Sequence, residues 1–549
     1  MTPTLYAPLE KFNKWEKEFP DQIFLRQPIN GTFRTYTYKQ AGDEIRSIAA
    51  YLTQNFPPGS CIGLVSKNCA HWIMADLAIM LSGNISVPLY PTVTAGTVNY
   101  ILNHSEAKAV FAGKLDSWSA MTGGMPEHVK VISFPLYGPE GDYVKWDAIV
   151  KKTKPLDTYP SIGLNDLMTI VYTSGTTGNP KGVMLRTRAI VYAITVALEV
   201  IDLGKEPPRF FSYLPLSHIA ERMLVEMGSI YTGGEVSFAE SLDTFAKNLT
   251  EASPTLFLGV PRIWTKFQMG VLQKMPQKKL DLLLSIPIVS SIIKKKIKQA
   301  LGLHKARNFF TGAAPMPASL LTWFQKLDIP IQEVYAMTEN SAYCHFSHRN
   351  KIKVGYAGQP LPNVEVKLTG AGEILMKSET LMDGYYKEPE LTAQAFENGF
   401  LKTGDRGVID SEGYIKITGR VKELFKTEKG KYIAPAPIEL HLAKDQHIEQ
   451  VCVTGSGFPQ PFALVVLSQD ARSKERSPVH ESLKNTLESL NTVLESHERI
   501  HRIIVISEEW TVENNLMTPS LKVKRTQVED RYSSKFTDWY ANQEAIVWE

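Results

Sequence analysis

Cysteine is scarce in this chain. Cys61, Cys69, Cys344 and Cys452 are scattered through 549 residues and never form a C-x-x-C pair. Neither a disulfide framework nor a cysteine zinc site is therefore implied, and a reducing compartment is expected. Long apolar runs are missing as well. No stretch approaches the ~20 apolar residues of a membrane span, and Met1 to Asp21 has no apolar centre of the kind a secretory signal needs. Neither sign of charge dominates: the net is +3, which argues against a dedicated nucleic-acid binder but leaves room for local basic sites. Internal repeats and low-complexity tracts are absent. What remains is an ordinary globular composition, 43% hydrophobic and 21% charged. The length is too great for one hydrophobic core, so two or more domains are expected.

From Thr35 onward, strand and helix patterns alternate. Tyr38 to Asn55 has helical spacing, Ser60 to Ser66 is a short apolar strand, and His71 to Leu81 is an apolar helix. A strand at Ile85–Leu89, a helix at Val98–Ser105 and a strand beginning at Val110 follow. Such alternation predicts a layered α/β fold with much parallel sheet. Lys114 to Pro160 is polar, with several Gly and Pro, and reads as surface structure. An apolar run from Leu167 to Val171 then leads into Tyr172-Thr173-Ser174-Gly175-Thr176-Thr177-Gly178-Asn179-Pro180-Lys181-Gly182. Glycines let backbone N–H groups face a ligand, and hydroxyls and an ammonium add donors, an inventory that suits a polyphosphate. It is not a Walker A loop, in which Gly precedes the lysine and Ser or Thr follows it. Here Pro180 precedes Lys181 and Gly182 follows.

This stretch resembles the phosphate-binding signature of the adenylate-forming superfamily, which includes acyl-CoA synthetases, luciferases and peptide-synthetase adenylation domains. Further motifs occur in that family's order. Val87-Pro88-Leu89-Tyr90-Pro91-Thr92 and Tyr213-Leu214-Pro215-Leu216-Ser217-His218-Ile219-Ala220-Glu221-Arg222 resemble its long-chain fatty acyl branch. The resemblance puts His218 beside the carboxylate and phosphate site. Thr311-Gly312-Ala313-Ala314-Pro315 and Val334-Tyr335-Ala336-Met337-Thr338-Glu339 follow, with Ala336 where the family usually has Gly. Thr403-Gly404-Asp405 and Gly419-Arg420 match the ribose site. A carboxylate can accept from both hydroxyls of a ribose diol, and an arginine offers a rigid fork of donors.

The resemblance implies roles residue by residue. Thr173, Ser174, Gly175, Thr176, Thr177, Gly178 and Lys181 hold phosphates. Gly312, Ala313, Ala314, Tyr335 and Ala336 receive the adenine, and Thr338 touches phosphate. Glu339 and Thr176 serve magnesium, consistent with Mg²⁺ being held by one or two carboxylates plus substrate phosphates. Asp405 and Arg420 take the ribose. Lys422 matches the hinge, and Gly430 to Glu439 resembles the loop that enters a second active pose. Leu516 to Arg525 resembles the closing lysine motif, though Ser520-Leu521 replaces the usual Ser-Gly. Lys522 is preferred to Lys524 as the closing lysine. Trp264, after the apolar Leu256–Val260 strand, has two readings: core packing, or a residue lining or closing an acyl channel as in some fatty acyl members.

Lys274 to Arg307 carries Lys274, Lys278, Lys279, Lys294, Lys295, Lys296, Lys298, Lys305 and Arg307 against Asp281 alone. Leu282 to Ile293 between them is too short to span a bilayer. It reads either as a solvated basic helix packed on the domain or as a segment lying on an anionic membrane.

The expected fold is α/β: a large N-terminal domain of layered α/β sheets with a β-rich subdomain (1–421), and a small mobile α+β C-terminal domain (422–549). The expected function is that of a long-chain fatty acid–CoA ligase using ATP, Mg²⁺ and coenzyme A, with catalysis by Lys522, Glu339, Thr338, His218 and Lys181. Alternatives are a fatty acyl-AMP ligase or acyl-carrier-protein synthetase, and a nucleotide-dependent lipid-binding sensor without turnover. Fatty acid, ATP and CoA are the expected partners, with no nucleic acid, and a homodimer stays open. The expected location is the cytoplasm, free or peripheral on the inner face of a membrane.

Overall fold

A computed structural model describes residues 3–159, 163–173 and 179–549. Among these, the largest sheet has eight strands. In spatial order they are Gly384–Tyr385, Lys181–Arg186, Leu167–Thr173, Ile85–Leu89, Cys61–Val65, Ala109–Ala112, Lys130–Ser133 and Val144–Lys145. From Leu167–Thr173 to Val144–Lys145 the neighbours run parallel, and the first two strands are antiparallel additions. Cys61–Val65 and Ala109–Ala112 are buried along their whole length, as strands of a parallel sheet covered on both faces must be.

The helices between the strands show why the sequence folds this way. Thr37 caps Tyr38–Asn55 by accepting from the Gln40 N–H, while the Gln40 side chain accepts from the Thr37 N–H. This reciprocal pair satisfies two donors that the helix start would otherwise leave open. Ala70–Leu81 is apolar on every face, and every one of its residues is buried. Its one charge, Asp76, accepts from Ser86 and from the guanidinium of buried Arg222. A charge so deep is tolerated only when paired in this way.

Two further sheets complete the α/β layers. One orders Arg209–Ser212, Glu235–Phe238, Ile23–Ile29 and Thr32–Thr37. The other orders Leu256–Leu258, Asn308–Thr311, Ile331–Tyr335, His345–Phe346 and Gln359–Pro360. The β-rich part follows, built on Glu365–Leu368, Glu373–Lys377, Phe400–Ile409 and Ile415–Arg420. After a short helical turn at Val421–Glu423, a four-stranded sheet forms from Ile448–Thr454, Phe462–Leu467, Ile503–Ile506 and Ile546–Trp548. Phe462–Leu467 is wholly buried because its alternating side chains enter two cores: Ala463 and Val465 meet Ile438 and Leu483, whereas Phe462 and Leu464 meet Trp510 and Trp539. The fold is thus α/β with a large N-terminal domain and a smaller α+β C-terminal domain.

Two expectations need correction. Lys114–Pro160 is more than surface: Lys130–Ser133 and Val144–Lys145 extend the main sheet, and Ile132 and Trp146 are fully buried. Two apolar residues in a polar tract suffice when a neighbouring strand supplies the hydrogen bonds. The apolar strand expected to run to Val260 stops at Leu258, and Pro261 starts the helix Pro261–Lys274 at the position where its missing N–H is harmless. Trp264 therefore lies in the first turn of a helix. Among the described residues no helix is long and apolar enough to cross a membrane.

Candidate active site

Strands Leu167–Thr173 and Lys181–Arg186 pair antiparallel, with Thr173 opposite Lys181. Ser174, Gly175, Thr176, Thr177 and Gly178 lie outside the described residues. The Thr173 hydroxyl donates to the Lys181 carbonyl at 3.5 Å. The Lys181 ammonium stands 5.0 Å from the centre of the Tyr385 ring. The same tyrosine donates its phenol hydrogen to Glu339 Oε1 at 3.1 Å. One aromatic side chain therefore stands between a cation and a carboxylate.

Glu339 belongs to the turn Thr338–Asn340 after strand Ile331–Tyr335, and its backbone carbonyl accepts from the Met382 N–H at 2.9 Å. Crowding pushes its carboxyl above the usual range, against the Tyr385 hydroxyl, Arg420 and Lys181. A cation placed against it would reverse that rise. Among the described residues no cluster of three metal-type side chains exists. One carboxylate working with substrate phosphates and water still fits the habits of Mg²⁺.

Asp405 and Arg420 are opposite one another on adjacent strands, Phe400–Ile409 and Ile415–Arg420. Arg420 Nε donates to Asp405 Oδ1 at 2.8 Å, and the Tyr335 hydroxyl donates to Oδ2 at 2.9 Å. Each carboxylate oxygen keeps a second lone-pair direction, so Asp405 retains acceptors for a diol. Burial and Asp405 raise the Tyr335 phenol, which stays a donor. The Gly312-Ala313-Ala314 loop runs beside the strand bearing Tyr335: a Cβ on Gly312 would come within 3.0 Å of the Val334 carbonyl. Ala313 sits at φ 64°, the left-handed region, and Ala313 and Ala314 are exposed while Ala336 is half-buried. Small side chains leave this ledge open.

His218 caps a short helix, and its Nδ1 accepts from the Ala220 N–H at 3.2 Å. In the neutral ring the proton therefore lies on Nε2. Burial, with a smaller contribution from Lys522, pulls its pKa down to about 4, so the ring is uncharged at neutral pH. Asn68 fixes the loop before it, donating to Ser212 Oγ at 2.7 Å and the Leu214 carbonyl at 2.6 Å, and accepting from the Leu216 N–H at 3.1 Å.

Lys522 comes from the C-terminal domain and enters the same cleft. It remains reachable by water, yet protein atoms crowd it from several sides. That crowding and Arg420 lower its pKa, against Asp405, Glu423 and Glu339. The Lys522 N–H donates to Thr518 Oγ1 at 3.0 Å, and Leu521 just before it lies at φ 60°. This is the position where the resemblance leads one to expect Gly, and a leucine there carries strain of about 1–2 kcal/mol. Lys524 instead bonds Asn515 Oδ1 at 2.6 Å, within its own domain. The domains touch where the Thr92 hydroxyl donates to the Pro519 carbonyl at 2.9 Å and where Arg262 pairs with Glu449. Lys422 is exposed in the Val421–Glu423 turn, and neighbouring Glu423 faces Arg525 at 3.9 Å. In the Gly430–Pro435 loop Tyr432 is exposed.

Trp264 is apart from this group. It is fully buried, donates Nε1–H to the Phe310 carbonyl at 3.2 Å, and packs against Phe257, Phe267 and Phe324. This arrangement is the core-packing reading. Sequence reasoning missed Tyr385 and Asn68. Tyr385 follows Gly384 in a two-residue edge strand paired with Lys181–Arg186, and only that long-range pairing brings it to Glu339. The Gly-aromatic step was its only local signal.

The family model described as "AMP-binding enzyme" matches residues 12–386, and that of the "AMP-binding enzyme C-terminal domain" matches 423–544. A long-chain-fatty-acid–CoA ligase of Mycobacterium bovis is 26% identical over 569 residues, covering 94% of each chain. Long chain acyl-CoA synthetase 2 of Arabidopsis thaliana is 29% identical over 617 residues, covering 97% of this chain and 92% of its own. Among solved structures, the A domain of a carboxylic acid reductase from Segniliparus rugosus, in complex with AMP and a co-purified carboxylic acid, superposes with a TM-score of 0.80 at 21% identity, covering 98% and 94% of the chains. O-succinylbenzoate coenzyme A synthetase from Bacillus subtilis, with ATP and magnesium, gives 0.72 at 20% identity over 96% and 100%.

Proposed function

This chain belongs to the AMP-binding enzyme family, and from that premise we propose that it is an ATP-dependent ligase joining a long-chain fatty acid to coenzyme A. The fatty carboxylate attacks the α-phosphate of ATP, pyrophosphate leaves, and an acyl-adenylate remains. The CoA thiol then attacks the acyl carbon, and AMP leaves. A carboxylate is a poor acyl donor, so the phosphorus activation is what ATP contributes. The protein's part is placement and charge neutralisation.

The observation that carries this reading is the hydrogen-bonded set Tyr335–Asp405–Arg420 and Tyr385–Glu339, to whose charges the Lys522 ammonium of the C-terminal domain is electrostatically coupled. Lys522 offsets the negative charge of the carboxylate and α-phosphate as they approach. His218 donates from Nε2 to one of those oxygens. Lys181, Thr173 and Thr338 hold phosphate oxygens, Asp405 and Arg420 hold the ribose, and Tyr335 stacks on adenine beside Gly312–Ala314. Mg²⁺, when bound, would supply charge neutralisation at the phosphates, and Glu339 would be the carboxylate that holds it. The names of the relatives support a fatty substrate and a CoA acceptor. The domain boundary near Lys422 is part of the same reading, with Lys422 as the hinge.

ATP–pyrophosphate exchange measured over fatty acids of graded length, followed by CoA addition, tests this. Exchange with long-chain acids and release of acyl-CoA is expected. No exchange with any carboxylate would remove the enzyme reading, and exchange without acyl-CoA would move the acceptor to a carrier-protein thiol.

A further inference from the structure

The helices Gln277–Leu284 and Pro287–Ala300 form a hairpin whose inner side joins the core: Leu280 and Ile297 are buried in the cluster that holds Trp264 and Phe324. Its tip has the opposite pattern. Leu282, Ile286, Ile288 and Ile292 are 64%, 46%, 79% and 51% exposed, while Ser290 between the last two is buried. A solvated helix would turn the serine outward and the isoleucines in. Ile288 and Ile292 are four residues apart in one helix and so share a face, while Leu282 lies in the last turn of the other helix and Ile286 in the connection between them.

Around this apolar tip the exposed charged side chains are cationic except for Asp281. Lys278 and Lys279 approach from one helix, Lys295 and Lys296 from the other, and all four are exposed. Asp281 is the one acid between residues 274 and 307. Lys294 and Arg307 are answered by Asp328 and Asp202, so they lie outside this collar.

We propose that the tip of this hairpin docks the protein on an anionic lipid bilayer, with Leu282, Ile286, Ile288 and Ile292 entering the acyl boundary and the four lysines meeting the headgroups. Charge decides the occupant. A second copy would bring the same basic collar and repel, whereas an anionic surface is complementary. The helices, 8 and 14 residues long, lie in the interface and do not cross it. The proposal concerns a surface away from the cleft and stands whether or not the ligase reading holds.

Sedimentation of the full chain with vesicles of phosphatidylcholine alone, and with an equal mixture of phosphatidylcholine and phosphatidylglycerol, tests it. Binding to the mixed vesicles that weakens with added salt is expected. Each lysine removed weakens binding about fivefold. Ile288→Ser with Ile292→Ser abolishes most binding while leaving the melting temperature near that of the parent. Lys295→Gln with Lys296→Gln gives an independent variant with no apolar change. Equal binding to both vesicle types, no binding at low salt, or binding unaffected by either double variant would overturn the proposal. So would a dimer in sedimentation velocity that Ile288→Ser dissolves, which would make a second copy the occupant.

Discussion

Lys522 and Lys295 are the same side chain in opposite surroundings. Lys522 stands in a cleft with Arg420, Asp405, Glu423 and Glu339 around it, and the crowding lowers its pKa. Lys295 stands on an outer helix beside Lys296, with exposed isoleucines as neighbours. In the cleft, position is held by hydrogen bonds, such as those of the Thr518 loop, and each charge is aimed at one place. On the hairpin the charges act together and are screened by salt within about 10 Å. The comparison teaches where charge is worth most. A preorganised group in a partly dry site changes a rate by about 10²–10³, whereas a surface cation contributes only a few-fold factor.

The largest expected effect lies beneath the hairpin. Trp264→Ala should lower stability by roughly 3–5 kcal/mol, because a fully buried indole and its bond to Phe310 are lost. Denaturant melts of the purified variant check this. Unchanged stability with altered chain-length preference would instead favour the acyl-channel reading. Next comes Glu339→Gln, which keeps the shape of the carboxylate but not its charge. Pyrophosphate exchange should fall by about 10²–10³, with vesicle binding untouched. A loss of both would break the separation between cleft and hairpin.

Tyr385→Phe should act more gently. It removes the bond to Glu339 but leaves the ring beside Lys181. Charge-assisted bonds contribute about 1.5–3 kcal/mol when fully dry. In a water-reachable cleft the low end applies, about tenfold in exchange rate, seen in steady-state kinetics with ATP varied. The smallest effect belongs to Leu521→Gly. Relief of the left-handed strain outweighs the added freedom of the unfolded chain, so stability should rise by less than about 1 kcal/mol.

The legibility of the sequence divides along similar lines. Tyr38–Asn55 and Ile85–Leu89 were read with their observed limits, since local periodicity marks them without help from distant residues. Lys130–Ser133 was not read, because its sheet membership comes from pairing with Ala109–Ala112 rather than from its own pattern. In the candidate site, motif order singled out Glu339, Asp405, Arg420 and Lys522 one at a time. The links between them were invisible: Tyr335 to Asp405 and Tyr385 to Glu339 are hydrogen bonds between residues 70 and 46 positions apart. The apolar tip of the hairpin was half legible. The lysines stood out, but only burial distinguishes Leu280 and Ile297, which face the core, from Ile288 and Ile292, which do not.

The central claim is that the domain pose described here, with Lys522 in the cleft, serves carboxylate activation alone. The most direct test assays the two half-reactions separately on folded Lys522→Ala and Lys522→Arg. The account predicts that Lys522→Ala loses acyl-adenylate formation by about 10²–10³ or more yet converts supplied acyl-adenylate and CoA to acyl-CoA at the parental rate. Because the pKa of Lys522 is lowered, its ammonium is lost at a lower pH than an unperturbed lysine's ~10.4, so acyl-adenylate formation should fade on the alkaline side below that value. In Lys522→Arg, whose charge persists, that decline should move upward. Equal loss of both half-reactions in Lys522→Ala would contradict the account.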